Sequence, residues 1–344
     1  MHAVVVAEPG GPETMKLAEV PEPVPGPGEV VINVTAAGVN RADLLQRQGF
    51  YPPPPGASEI LGLECSGTIA STGAAADLGL PAGVQVCALL AGGGYAQQVA
   101  VPAGQVMPLP EGVGLVDAGA LPEVACTVYS NLAMKAGLQA GEWLLIHGGG
   151  SGIGTFAIQW AKAIGAKVIA TAGSPGKVAG CLTLGADAAI DYREEDFVSR
   201  VKEITDGHGA DVILDVVGAK YLDRNLHSLA ISGRLVVIGL QGGTNAELDL
   251  GRLLSRRATV MGTSLRARPT AEKADICQQV VAEVWPLMAA GKIEPVVERA
   301  LPLADAAVAH EELAASTHFG KFLLLPERNV AAGVPDLVPS GPAS

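Results

Sequence analysis

The sequence predicts an α/β protein with two units: a doubly wound parallel sheet and a small all-β barrel. Three observations lead to this prediction. Apolar runs alternate with helical patterns in the middle of the chain, glycine clusters follow several of these runs, and short alternating runs between Pro- and Gly-rich turns precede them. Near-continuous apolar strands between helices are typical of a parallel sheet covered on both faces. The chain has 344 residues, which is enough for two cores.

The first predicted strands are short and are bounded by turn signals. They cover residues 29–34, 67–70, 85–89 and 96–101, and the turns include 23–28 and 92–94. Short, evenly spaced strands with such turns are typical of a small barrel or folded sheet.

A glycine cluster directly follows the predicted strand 143–147. Residues 148–154 read Gly-Gly-Gly-Ser-Gly-Ile-Gly, and an apolar stripe from residue 153 to 164 predicts a helix behind them. Glycines at such a turn let the backbone approach a pyrophosphate, and the helix N-terminus offers free N–H groups. Because serine replaces the usual second glycine, a glycine-rich turn without a ligand is the alternative. The candidate binding residues are Gly149, Ser151, Gly152, Ile153 and Gly154.

Four further strands are predicted in this unit, at 167–172, 189–191, 211–215 and 234–238. Gly218 follows the fourth strand of the unit, and Gly239, Leu240 and Gln241 follow the fifth. Ligands of such sheets bind at the carboxyl ends of the strands. Glycines at these ends therefore favour a dinucleotide that lies across them.

The residues after the second strand of this unit favour NADPH over NADH. An acidic residue there would bind the ribose 2′-OH of NAD, but residues 171–177 contain neither Asp nor Glu. Ser174 can donate a hydrogen bond and Lys177 can supply charge to a 2′-phosphate. An ordinary exposed lysine is the alternative for Lys177. Tyr192 ends the third strand, where an adenosine phosphate can reach it.

Composition limits the partners and the location that we expect. The formal net charge of −12 argues against nucleic acid or an anionic membrane as the main partner. The five cysteines are far apart and form no C-x-x-C pair, which fits a reducing compartment. Neither a signal-peptide pattern nor a run of membrane-spanning length is visible. We expect a cytoplasmic protein.

The chain returns to short apolar runs after the nucleotide unit. A helix is predicted over 271–290, and the last strand of the segment 293–326 is expected to rejoin the N-terminal domain. We expect a first domain at 1–123, a nucleotide-binding domain at 124–265 and a return to the first domain at 266–327. The Pro-, Gly- and Ala-rich segment 328–344 is interpreted as a peripheral tail.

Taken together, the motifs resemble the zinc-free quinone oxidoreductase branch of the medium-chain dehydrogenase/reductase superfamily. The residues that carry the resemblance are 38–49, 51–58 with its four prolines, 61–64 and the glycine cluster. Similarity extends to the human tumour-suppressor-inducible subgroup, which has serine at position 151. The resemblance implies a GroES-like β-barrel catalytic domain joined to a Rossmann domain. It also implies a homodimer that pairs through the edge strand near 258–263.

The resemblance also implies the absence of a metal site. Zinc-containing relatives have Cys where this chain has Asn40, and His-Glu where it has Leu63-Glu64. Leucine cannot coordinate a metal. Asp43 and Glu64 are carried over as structural polar residues. His147 is expected to be a structural histidine rather than an acid or base. The further cofactor positions that the resemblance implies are Thr127, Gly173, Ser264, Leu265, Arg266 and Lys321.

Loss of the zinc ligands favours a substrate that needs no Lewis acid. A quinone accepts hydride readily because its reduced form is aromatic and spreads the charge, so orientation and hydrogen bonds suffice. We therefore expect an NADPH-dependent quinone oxidoreductase whose candidate catalytic residues are Tyr51 and Asn40. Alternatively, Tyr51 packs against the prolines and Asn40 only shapes a turn. Two other functions stay open: an enoyl or alkenal reductase that uses NADPH, and a non-enzymatic binding role.

Overall fold

The computed structural model describes residues 1–74 and 81–326. The strands of the first part are β1 (His2–Val6), β2 (Met15–Glu19), β3 (Glu29–Gly38), β4 (Glu64–Thr72), β5 (Gln85–Leu89), β6 (Gln98–Pro102) and β7 (Val106–Pro108). β1 and β2 form a separate hairpin, and β3 pairs antiparallel with both β4 and β6. Helix α1 (Arg41–Arg47) follows β3.

The middle of the chain forms a six-stranded parallel sheet. Helix α2 (Pro122–Val128) and a π-helical segment (Tyr129–Lys135) lead into it. The strands are β8 (Trp143–His147), β9 (Lys167–Ala172), β10 (Ala188–Asp191), β11 (Ala210–Asp215), β12 (Leu229–Val237) and β13 (Thr259–Gly262). Helices between them are α3 (Gly152–Ala163), α4 (Pro175–Thr183), α5 (Phe197–Ile204), α6 (Leu222–Ser228) and α7 (Leu250–Arg256).

The strand order of this sheet is β10-β9-β8-β11-β12-β13. The chain first adds strands on one side of β8 and then, from β11 onwards, on its other side, so the strand order reverses between β8 and β11. Such a reversal opens a crevice at the carboxyl ends of the strands, where ligands bind in doubly wound sheets. The central strands β8 and β11 are buried apart from one half-buried residue each, because helices cover both faces of the sheet. The predicted combination of a Rossmann sheet and a separate β-rich unit is thus confirmed.

The last part of the chain returns to the first sheet. It contains α8 (Thr270–Glu283), α9 (Trp285–Ala289), β14 (Val297–Pro302), α10 (Ala306–Ala315) and β15 (Lys321–Leu325). β15 pairs antiparallel with the end of β3, and β14 lies parallel to β15. No helix of the two described ranges combines the length and apolar character needed to cross a membrane. The predicted tail 328–344 lies outside the described residues.

Two predicted elements differ from those in the structure. The single helix expected over 271–290 is two helices, because Pro286 lacks an N–H and occupies the first turn of α9. β12 begins at Leu229 rather than at residue 234. Ser232 has a φ of 62° there, and the register with β11 shifts beside it, so the Ser-Gly pair forms an irregularity within a strand instead of a turn before one.

A buried chain of hydrogen bonds joins α1, residue 95 and α10. Arg47 can only donate, so its contact of 3.2 Å with Nδ1 of His310 makes that nitrogen the acceptor. The Nε2–H of His310 then donates to the hydroxyl of Tyr95 at 3.0 Å, and this hydroxyl donates to Oδ2 of Asp43 at 3.2 Å. Burial lowers the pKa of His310 to about 3, so the ring stays neutral.

We predict that Tyr95→Phe destabilises the protein, because it leaves the Nε2–H of His310 without an acceptor inside the core. An unsatisfied buried donor lowers the free energy of unfolding by about 1–3 kcal/mol. A urea denaturation curve measures this loss as a lower midpoint. Tyr129→Phe is the matched control, since the half-buried hydroxyl of Tyr129 has no hydrogen bond in the described part of the chain. Equal midpoints for the two variants would contradict the prediction.

Candidate active site

The carboxyl ends of the six parallel strands meet at one edge of the sheet, and most predicted cofactor positions lie there. The turns after β8, β9 and β10 carry the glycine cluster, residues 173–177 and Tyr192. The turns after β11, β12 and β13 carry Gly218, residues 239–241 and residues 264–266. Residues that are far apart in the sequence therefore form one cradle, because the strands share a direction.

Close packing explains why glycines occupy the turn after β8. A Cβ on Gly149 would lie 2.7 Å from Sγ of Cys181, and one on Gly154 would lie 2.3 Å from the carbonyl oxygen of Gly148. The first-turn N–H groups of Gly152 and Ile153 have no intrahelical acceptor, as at any helix start. Together with the helix dipole, these groups make the start of α3 suitable for a phosphate.

The side chain of Ser151, a predicted cofactor residue, is hydrogen-bonded within the glycine turn. Its hydroxyl donates to the carbonyl oxygen of Gly148 at 2.7 Å and accepts from the N–H of Gly154 at 3.0 Å. The side chain is thus the N-cap of α3 and is committed to the loop. The Ser151 side chain therefore shapes the backbone of the turn that a ligand would contact.

The structure brings together the four residues predicted for the adenosine end. Ser174 caps α4 by accepting from the N–H of Lys177 at 3.4 Å. The hydroxyl of Tyr192 lies 2.5 Å from the position that a Cβ on Gly173 would take. Nζ of Lys177 donates to the carbonyl oxygen of Ser316 at 2.7 Å. Burial and the nearby Arg193 lower the pKa of Lys177, although Glu298 opposes this shift.

The turns after β11 and β12 pack closely against each other. Gly218 has a φ of 78° and donates to Oδ2 of Asp215 at 3.0 Å. A Cβ on Gly239 would lie 2.8 Å from the carbonyl oxygen of Val216, to which Gln241 donates its N–H. Leu240 is 54% exposed, so an apolar side chain faces outward from this turn.

Arg266, which is predicted to line the nicotinamide, has its guanidinium engaged by three hydrogen bonds. Its Nε donates to the carbonyl oxygen of Ala91 at 2.8 Å, and its Nη2 donates to Oε1 of Gln46 at 2.7 Å. Its Nη1 donates to the carbonyl oxygen of Tyr51 at 3.3 Å, and the guanidinium lies 5.2 Å from the Tyr51 ring centroid. A buried arginine therefore fixes the loop that carries Tyr51, which rests on this guanidinium.

Asn40 belongs to a buried polar cluster with Glu64 and Lys321. Nζ of Lys321 forms an ion pair with Oε1 of Glu64 and donates to Oδ1 of Asn40 at 2.6 Å. Nδ2 of Asn40 donates to the same Glu64 oxygen at 2.8 Å. The stem of Lys321 lies against the glycine turn, since a Cβ on Gly152 would be 2.3 Å from Cδ of Lys321. The cluster thus connects the two units.

Glu123 was missed by the sequence analysis. It lies in the first turn of α2, one turn before the buried Thr127, and its N–H donates to Oε2 of Glu64 at 2.9 Å. Burial and the charge of Glu64 raise its pKa to about 8. Burial and Glu123 also raise the pKa of Tyr51. Acidic residues are common in the first turn of a helix, so the sequence contained no specific signal for Glu123.

The contacts of His147 agree with a structural role. Both ring nitrogens have partners: Nδ1 lies 3.0 Å from Oγ1 of Thr171, and Nε2 lies 2.7 Å from Oδ1 of Asn225. Burial lowers the pKa of His147 to about 4. A neutral ring with both nitrogens occupied exchanges no proton with a substrate.

The donor groups at this site are poorly suited to a metal. Leu63 is buried beside Glu64 and offers no ligand atom. Within residues 1–74 and 81–326, no three His, Cys, Asp or Glu side chains are arranged to hold a metal ion. The Sγ atoms of Cys126 and Cys277 are 3.9 Å apart, but both thiols are buried away from any histidine partner that the described residues provide.

Two protein-family models match this chain. Residues 26–111 match the alcohol dehydrogenase GroES-like domain, and residues 152–283 match the family described as zinc-binding dehydrogenase. The second range begins at Gly152, near the end of the glycine turn, and includes α3 but not positions 40 and 63.

Curated and solved proteins are similar over almost the whole chain. Quinone oxidoreductase 1 of Escherichia coli is 33% identical over 92% of this chain and 97% of its own length. The human quinone oxidoreductase is 30% identical over 94% of this chain and 98% of its own. The crystal structure of E. coli quinone oxidoreductase complexed with NADPH has a TM-score of 0.84 at 32% identity and covers 95% of this chain and 100% of that one. The chain therefore belongs to the quinone oxidoreductase branch of the medium-chain dehydrogenase/reductase superfamily.

Proposed function

We propose that this protein reduces quinones with NADPH. The observation that carries the proposal is the position of the Lys321 stem: it packs on the glycine turn, while the Lys321 ammonium group contacts Asn40 and Glu64. A cofactor that lies along the carboxyl edge of the sheet would thereby reach the cleft that holds Tyr51. The E. coli relative solved with NADPH supports the same cofactor here.

The residues of the cradle suit NADPH. The start of α3 would hold the pyrophosphate through the N–H groups of Gly152 and Ile153. Ser174, Lys177 and Tyr192 would hold the 2′-phosphate, since a lysine and two hydroxyl groups lie together there and residues 171–177 contain neither Asp nor Glu. Thr127, Ser264 and Leu265 would border the nicotinamide. When bound, NADPH supplies the hydride for reduction of the substrate.

The protein's own groups would orient the substrate and stabilise its charge. Tyr51 is half-buried and stays protonated because its pKa is raised, so its hydroxyl can donate to a quinone oxygen. We further propose that no zinc takes part. Asn40 and Leu63 replace two expected ligands, and the ammonium of Lys321 already neutralises Glu64.

Assembly, location and domain limits complete the proposal. We propose a cytoplasmic homodimer that pairs through β13, supported by the exposed Leu250 (67%) and Leu254 (80%) on the neighbouring α7. The five buried free cysteines support a reducing compartment. We also propose domain limits at 1–123, 124–265 and 266–327, because the six-stranded parallel sheet is separate from the sheet that the first and last parts of the chain share.

We predict that purified protein oxidises NADPH with 1,2-naphthoquinone as the acceptor and does so at the same rate after dialysis against EDTA. The part of the chain that the structure describes holds no cluster of three metal-ligating side chains from which EDTA could remove an ion. Absorbance of NADPH measures the rate, and trans-2-hexenal is the comparison substrate. Turnover of the alkenal alone would replace this proposal by an enoyl or alkenal reductase. A rate that EDTA abolishes and zinc restores would disprove metal independence.

We predict that Lys177→Ala raises the KM for NADPH roughly tenfold, because one charge-assisted hydrogen bond is worth about 1.5 kcal/mol. The KM for NADH should stay unchanged, because NADH has no 2′-phosphate. Lys202→Ala, at an exposed lysine of α5, is the matched control. An equal rise for both cofactors would show that Lys177 only supports the fold near Ser316.

A further inference from the structure

One carboxyl group in the cleft has no role in the reaction described so far. Glu123 is half-buried in the first turn of α2, and its backbone N–H is fixed on Oε2 of Glu64. Residues four apart on a helix share one face, so its side chain and Thr127 point to the same side of α2. Glu123 therefore lies beside the buried Lys321–Glu64 pair on the face proposed for the nicotinamide.

Charged and titratable groups face Glu123 from every element around it. They are Asp43 of α1, Tyr51 of the following loop, Glu64 of β4, Arg266 after β13, Lys273 of α8 and Lys321 of β15. The three cations are engaged elsewhere. Lys321 is bound to Glu64, Arg266 to the Tyr51 loop, and Nζ of Lys273 to the carbonyl oxygen of Arg266 at 3.3 Å.

The oxygens of Glu123 consequently lack a partner. Across residues 1–74 and 81–326 they accept no hydrogen bond and form no ion pair, whereas both oxygens of Glu64 are occupied. A half-buried carboxyl group with no cation at hydrogen-bond distance favours its protonated form. The raised pKa of about 8 agrees with this geometry, so Glu123 carries a proton at neutral pH.

We propose that Glu123 donates the proton that completes reduction of the substrate. The inference rests on the proposed function. Addition of hydride to a quinone gives a hydroquinone monoanion with one negative oxygen. The O–H bond of Glu123 breaks, a new O–H bond forms at that oxygen, and the Glu123 carboxylate regains a proton from water. The sum is one quinone, one NADPH and one proton converted to hydroquinone and NADP⁺.

Tyr51 is less suited to this transfer and complements it. General acids are most effective when their pKa lies near the working pH. The Tyr51 hydroxyl has a pKa raised above an already high value, because it is buried and faces Glu123. It can orient the substrate oxygen by a hydrogen bond, while the proton itself comes from the carboxyl group.

The test compares Glu123→Gln with Glu111→Gln. Glutamine keeps the size of the side chain but has no acidic proton, and Glu111 is an exposed residue outside the cleft. Loss of a general acid should lower kcat with 1,2-naphthoquinone about 100-fold or more. The wild-type kcat should be high below about pH 8 and fall above it as Glu123 ionises, and Glu123→Gln should lose this inflection. Glu123→Asp should restore part of kcat together with the inflection.

Two measurements separate proton donation from a structural effect. The Kd for NADPH, measured by fluorescence, should be equal in all variants. Infrared spectra of the NADPH-free protein should show a protonated-carboxyl band that disappears near pH 8, is absent from Glu123→Gln and persists in Glu111→Gln. If the wild type is active and Glu123→Gln has the same kcat and pH profile, the donor role of Glu123 is overturned and the proposed function stands. Wild type that reduces no quinone with NADPH would overturn the proposed function and the donor role with it.

Discussion

The buried ion pair between Lys321 and Glu64 is the interaction on which the site depends. Both side chains are almost fully inaccessible, at 6% and 0% exposure. Buried charges are tolerated only when they are paired and their remaining hydrogen-bonding positions are filled. Asn40, the carbonyl oxygen of Val39 and the N–H of Glu123 fill them here. Removal of either charge would leave the other unpaired where the barrel meets the glycine turn.

The two carboxyl groups beside this ion pair, those of Glu64 and Glu123, have different surroundings. Both oxygens of Glu64 are engaged: the Lys321 ammonium and the Asn40 amide contact one, and the N–H of Glu123 contacts the other. Glu123 lies in the first turn of α2, where burial and the charge of Glu64 raise its pKa to about 8 although Lys321 opposes the shift. The backbone N–H of Glu123 is hydrogen-bonded to the Glu64 carboxylate, but only the Glu64 carboxylate has a cation as its partner.

Local sequence patterns predicted the sheet and the cradle because the signals lie within short windows. The apolar run before the glycine cluster predicted β8 with the bounds observed. The absence of an acidic residue after β9 is visible within the seven consecutive residues 171–177. The rest of the site depends on contacts across the chain. Lys321 and Glu64 are 257 positions apart, and Arg266 reaches Gln46 over 220. No periodicity in the sequence encodes contacts over such separations, so the sequence alone predicts neither the partners of Arg266 nor a role for Glu123.

The order in which the ribosome makes these elements has a consequence for assembly of the site. The end of β3, at Ala37 and Gly38, pairs with Leu324 and Leu323 of β15, which is the last strand described. The same strand begins with Lys321. Until β15 leaves the ribosome, the nascent chain already contains every strand of the Rossmann sheet. In the barrel, however, the end of β3 lacks its partner strand and the charge of Glu64 lacks Lys321. Chains truncated before β15 would therefore be substrates for chaperones and proteases rather than partly active enzymes.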